Sequence, residues 1–109
     1  MLLFYKLLRQ TTKQGIKMAK FTVRITLHEA EWEEYSKLYA SLEKENFSDT
    51  ISSDKATYKL PDGEYTISGS YSLDDILNKA KKAISSTGVE GSVLVTQSSG
   101  RTWFGLDKV

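Results

Sequence analysis

The run Phe21-Thr22-Val23-Arg24-Ile25-Thr26-Leu27-His28 alternates apolar and polar residues without a break. Side chains of an extended strand point alternately to its two faces, so this pattern predicts a strand with one buried and one open face. Phe21, Val23, Ile25 and Leu27 are the core-facing set, and Thr22, Arg24, Thr26 and His28 look outward. The outward set holds the single histidine and one of three arginines, so a chemical site is expected first at the end of this strand. A strand with one apolar face must bury it against another layer, and the rest of the chain supplies that layer.

From Ala30 to Asn46, residues Trp32, Tyr35, Leu38, Tyr39 and Leu42 recur at spacings of three and four, which predicts a helix with one apolar stripe. Glu31, Glu33 and Glu34 crowd its first turn, where they complement the helix dipole; they read as a solvated face rather than a metal site. Phe47 to Ser52 reads as a second strand, and residues 52–55 as a turn. Ala56 to Leu60 and Glu64 to Ser68 then alternate on either side of Pro61-Asp62-Gly63. That tripeptide marks either a tight turn between two strands or a bulge inside one long strand. The bulge leaves the simpler count of elements and is favoured. Ser72-Leu73-Asp74-Asp75 has the form of a capping box, and Leu73, Ile76, Leu77, Ala80, Ala83 and Ile84 continue as an apolar stripe that Gly88 ends. Ser92 to Gln97 reads as a strand buried on both faces around Val93, Leu94 and Val95, and Arg101 to Leu106 could form a short last strand.

This order predicts an α+β class: a ferredoxin-like βαββαβ sandwich over residues 18–109, an antiparallel sheet with two helices on one face and a short extra C-terminal strand. The second face would stay open with Arg24 and His28 on it, and a homodimer is the common way to cover such a face.

A chain of 109 residues is long enough for one core and too short for two. It has no cysteine, which excludes disulfides, thiolate metal sites and cysteine nucleophiles, and with one histidine a metal site would rest on carboxylates. No metal and no cofactor is therefore expected. Residues 1–17 carry Lys6, Arg9, Lys13 and Lys17 and no acid, giving +4; the remainder has 11 basic against 14 acidic residues, or −3. The apolar start is far short of the roughly 20 residues of a membrane span. Residues 1–17 read as a basic, disordered extension, with translation from Met18 or a peripheral membrane helix as the two explanations. A body at −3 is not built to hold nucleic acid by bulk charge, so DNA binding is not expected and any RNA contact must be local.

No strong catalytic motif is present. Glycine-rich phosphate loops and a nucleophile elbow are missing, and Val93-Leu94-Val95 stands where an RNA-binding sheet of this outline shows aromatics. The remaining catalytic candidates are His28 as general base or acid, Glu29 to orient it, and Arg24 to neutralise a phosphate. Arg101 with Trp103 could pair a phosphate contact with base stacking, or Trp103 and Phe104 could seal an interface or the core rim.

Phe21-Thr22-Val23-Arg24, Tyr58-Lys59-Leu60-Pro61 and Gly100-Arg101-Thr102-Trp103, together with the element order and the size after Met18, resemble the GhoS-like group, the endoribonuclease antitoxins of type V toxin–antitoxin systems. The likeness covers Phe21 to Leu106. It implies a cytoplasmic, ferredoxin-like dimer, similar in shape to small CRISPR-associated nucleases, that binds and cleaves single-stranded message. In those nucleases an aspartate ends the first strand and can hold a metal; His28-Glu29 stands there instead. A non-enzymatic interaction module with a protein partner is the alternative.

Overall fold

In the computed structural model, which describes residues 18–109, the elements run β1 (Ala19–Leu27), α1 (Trp32–Lys44), β2 (Thr50–Ser52), β3 (Thr57–Lys59), β4 (Glu64–Gly69), α2 (Leu73–Ser85) and β5 (Gly91–Ser98). The expectation for residues 1–17 lies outside the described residues. β1 is the centre of a three-stranded antiparallel sheet of order β4-β1-β5. Its register sets Arg24 between Glu64 and Leu94, and Thr22 between Thr66 and Thr96.

The alternation in β1 decides which face is covered. Phe21 and Val23 are fully buried, with Ile25 and Leu27 nearly so, and they share one core with Leu38 and Leu42 of α1, Tyr65 and Ile67 of β4, and Ile76, Ala80, Ala83 and Ile84 of α2. Both helices thus lie on the same face of the sheet. Each fully buried apolar side chain contributes about 1.5–3 kcal/mol, which makes this shared core the main stabilising feature. The second face carries Lys20, Thr22, Arg24 and Thr26, and no helix or strand covers it among the described residues.

Both helices are capped by their own side chains. At α2, Ser72 N–H donates to Asp75 Oδ2 (2.8 Å) and Asp75 N–H to Ser72 Oγ (3.1 Å), so Asp completes the box usually closed by Glu or Gln. At α1 the box is Glu31 with Glu34. The helix stops where Asn46 turns left-handed (φ 72°), and the amides of Asn46 and Phe47 bond back to the carbonyls of Glu43 and Leu42. This pair of bonds is a Schellman motif, and Phe47 is buried behind it.

Four details depart from the sequence reading. Trp32 is 73% exposed and Tyr39 43%, because the core reaches only Leu38 and Leu42 of the stripe. Leu94 is 65% exposed, because the helices cover one side of β5 and not the other. The long strand is broken into β3 and β4, which belong to separate sheets but run in the same direction. β3 pairs with β2 (Thr50↔Lys59, Ile51↔Tyr58, Ser52↔Thr57) and Thr66 of β4 bridges Ser48 on the same line, so residues 48 to 50 face residues 59 to 66. The Pro61-Asp62-Gly63 segment is accordingly a wide excursion within one strand path rather than a hairpin. Finally, Arg101 to Leu106 forms no strand. The pairing comes later, where Lys59 N–H donates to Asp107 O and Val109 N–H to Thr57 O, adding the tail to the free edge of β3. The result is an α+β domain with antiparallel sheets of three and two strands, compatible with a ferredoxin-like arrangement though not a clean βαββαβ.

Candidate functional site

The sheet face turned away from the helices is a floor of hydroxyls with a few charges set into it. The period-two pattern puts Thr22, Thr26, Thr66, Ser68, Ser92, Thr96 and Ser98 on it. Thr22 Oγ1 and Ser98 Oγ are 3.2 Å apart, and Thr66 Oγ1 donates to Thr50 O at 2.8 Å.

His28 directly follows β1 at one extreme of this face. Its backbone N–H donates to Glu90 O (2.8 Å) and its Nε2 lies 2.9 Å from Ser92 Oγ, which leaves the imidazole exposed but laterally fixed. Glu29 follows with φ 53°, a left-handed conformation that glutamate adopts only at an energetic cost on the order of 1 kcal/mol. That turn swings the chain out of the sheet toward α1. Arg24 is four residues back and leans toward β4, 3.9 Å from Glu64 Oε2, whereas His28 leans toward β5. No hydrogen bond or ion pair joins His28, Glu29 and Arg24 to one another among the described residues, so the three share a face without forming one cluster. An exposed pair such as Arg24–Glu64 contributes at most about 1 kcal/mol, and Arg24 remains free to re-partner.

At the other end of β1 the structure gathers residues far apart in sequence. Arg101 reaches back from the segment after β5, and its Nη1 donates to Thr22 Oγ1 at 3.3 Å. Beside it Lys20 takes part in no ion pair among the described residues. The two cations line a hollow of ≈ 380 Å³ with Ser48, Thr50, Ser52, Thr66 and Ser68. They also line a second hollow of ≈ 330 Å³ with Ser98, Ser99, Trp103 and one carboxylate, Asp54. Trp103 is half-buried and leans on Tyr58, with ring centroids 5.6 Å apart and planes tilted by 59°. Arg101 and Trp103, paired in the sequence reading, therefore do line one cleft. Chemically, this cleft offers two cations and several hydroxyl donors to an anion, with an indole at its edge for a flat ring.

Lys20 and the hydroxyls other than Thr22 and Thr26 were missed by sequence. The signal for Lys20 was present, since it stands in phase with Thr22 and Arg24, one step before the run as first delimited. The serines and threonines of residues 48–52 and 98–99 carried no signal, because nothing local says that residues 48 to 52 lie beside 98 to 101. Among the described residues no group of His, Asp and Glu gathers in the number a metal site needs, and no helix is long and apolar enough to cross a membrane. Comparison with protein-family models, curated proteins and solved structures finds no match of any of the three kinds.

Proposed function

We propose that this chain binds single-stranded RNA along the open sheet face, with backbone phosphate held by Lys20 and Arg101 and a base laid against Trp103. The observation that carries the reading is the meeting of these three side chains around one hydroxyl-lined cleft. Phosphate contacts supply the affinity and the indole supplies stacking, which is the combination that sequence-tolerant single-strand binders use. A body of net −3 needs such a local cationic cleft if it is to meet RNA at all.

The likeness to the GhoS-like antitoxins extends the proposal to a cytoplasmic endoribonuclease of ferredoxin-like outline. In that reading His28 takes the proton of a ribose 2′-hydroxyl as its oxygen bonds to the adjacent phosphorus; the bond from phosphorus to the 5′-oxygen breaks, that oxygen takes a proton from water, and a 2′,3′-cyclic phosphate remains. Ser92 holds the ring in place, and Arg24 turns from Glu64 to the phosphate. A second reading, a dimeric interaction module, is favoured by Leu94 at 65% exposure on the open face and Phe104 at 99% exposure beyond it.

Full-length protein is titrated into a labelled oligouridine and the RNA then run on a gel, with magnesium or chelator, for wild type, Lys20→Ala/Arg101→Ala and His28→Ala. The expected pattern is binding lost in the double variant, and binding kept with cleavage lost in His28→Ala. Binding with intact RNA in every lane removes the nuclease from the reading. Wild type that binds no RNA removes the reading entirely and leaves the interaction module.

A further inference from the structure

Trp32, Tyr35 and Tyr39 stand at positions i, i+3 and i+7 of α1 and so share one face of it. Their rings are in contact, Trp32 with Tyr39 at 6.2 Å between centroids and Tyr35 with Tyr39 at 6.1 Å. Opposite them lies the Leu60–Gly63 excursion. Ile25, Thr26, Asp62 and Gly63 close a hollow of ≈ 380 Å³ with the three rings. A smaller one of ≈ 200 Å³ continues past Tyr39 and Asp62 to Asp49, Lys59, Glu64 and Tyr65. Gly63 makes this floor possible, since its φ is +85° and a Cβ there would sit 3.1 Å from Ile25 O.

Carboxylates outnumber cations along this groove, and Glu64 among them is paired with Arg24 at 3.9 Å. Asp62, Asp49 and Glu64 line it against a single cation, Lys59, which Asp49 already holds at 3.6 Å. Asp62 takes part in no ion pair or hydrogen bond among the described residues. An aromatic face carries negative potential, so rings beside an uncommitted carboxylate favour a cation and repel a phosphate. Burial raises the pKa of Tyr39 and the charge of Asp62 raises it further, which is the same negative field felt at the ring.

We infer that this groove binds an arginine side chain of a partner protein, its guanidinium stacked on Trp32 and Tyr39 and bonded to Asp62. Arginine is preferred to lysine because a planar guanidinium can stack on a ring and present parallel N–H groups to a carboxylate at once. The groove continues past Asp62 to Asp49 and Lys59, which suits a side chain arriving on a peptide better than a free ion. It is formed by the end of β1 remote from Lys20 and Arg101, so the inference stands independently of RNA binding in that cleft.

The test is an NMR titration of the full-length, isotope-labelled protein with acetyl-Gly-Arg-Gly-amide and with its citrulline counterpart, which has the same shape and no charge. The arginine peptide should shift the Trp32 indole N–H and the Gly63 amide, and the citrulline peptide should not. Asp62→Asn and Trp32→Ala, both at exposed positions, should each weaken the arginine peptide about tenfold while the remaining amide spectrum stays in place. Equal response to the citrulline peptide, no response to either peptide, or unchanged affinity in Asp62→Asn would each overturn the inference. A shift of the Trp32 indole by oligouridine in place of the peptide would overturn it too, since the carboxylates should exclude RNA.

Discussion

Replacing Lys20 and Arg101 together by alanine should alter how RNA binding depends on salt, and that dependence is more diagnostic than affinity alone. A cation that neutralises a phosphate releases condensed counterions, so log affinity against log salt falls by about 0.7 per contact on a single strand. Two cations line the cleft, and the pair should account for a slope of about −1.4. Between ~50 and ~200 mM salt, the wild type should then lose about sevenfold more affinity than the double variant. Fluorescence anisotropy with a labelled oligouridine at several salt concentrations measures both slopes. The Lys20 and Arg101 side chains are exposed and, among the described residues, tied by nothing stronger than the bond to Thr22, so the variant should fold normally. Trp103→Ala is the control: it should weaken binding by about 1–3 kcal/mol for a stacked base and leave the slope alone. Equal slopes in wild type and double variant would refute the placement of phosphate in this cleft.

Ile76 is fully buried between α2 and the sheet, and Ile76→Ala should cost about 2–5 kcal/mol, read as a lower urea midpoint at unchanged m; a loss under about 1 kcal/mol would contradict the packing. Gly63→Ala and Gly88→Ala both place a side chain at positive φ, but only at Gly63 does the new Cβ approach a backbone oxygen, so Gly63→Ala should be the more destabilising when the two are melted side by side. Lys79 Nζ donates to Glu45 Oε1 at 2.9 Å, and this bond holds the Glu45 carboxyl below its ordinary pKa. A depressed folded pKa stabilises above the ordinary carboxylate value and loses that effect as pH falls through the lowered one. The stability gap between wild type and Glu45→Gln should therefore close on acidification below the ordinary Glu range, and a gap that stays constant would count against the pair.

How much of this was legible depended on whether the deciding contact was local. β1 could be read because alternation is itself the statement of which face is buried, and Phe21 to Leu27 follow it residue by residue. α2 could be read because Ser72 and Asp75 are three residues apart and cap each other. The aromatic stripe of α1 misled, because spacing shows which residues share a helix face but not how far the core extends along it; Leu38 fell inside and Trp32 outside. Val93-Leu94-Val95 misled for a related reason, since an apolar triplet does not reveal that both helices lie on one side of its sheet and leave Leu94 exposed on the other. The cleft was half visible. Arg101 and Trp103 are neighbours in sequence, whereas Lys20 joins them through the antiparallel register Lys20↔Ser98. The split between β3 and β4 depended on where the tail and residues 48 to 52 pair, which no pattern within residues 56–68 expresses.

The central place of β1 has a consequence for how the chain is made. Its first partner strand begins at Glu64 and its second at Gly91, so the strand synthesised first is the one completed last. From Leu27 to Ser98 a ribosome working at about 5–20 residues per second needs roughly 4–14 s. Through that interval the Phe21–Leu27 strand has one or both edges unpaired, and among the described residues α1 is the first-made cover for its apolar face. Substitutions that weaken α1 should therefore reduce the yield of folded protein during synthesis more than they lower the stability of the finished molecule.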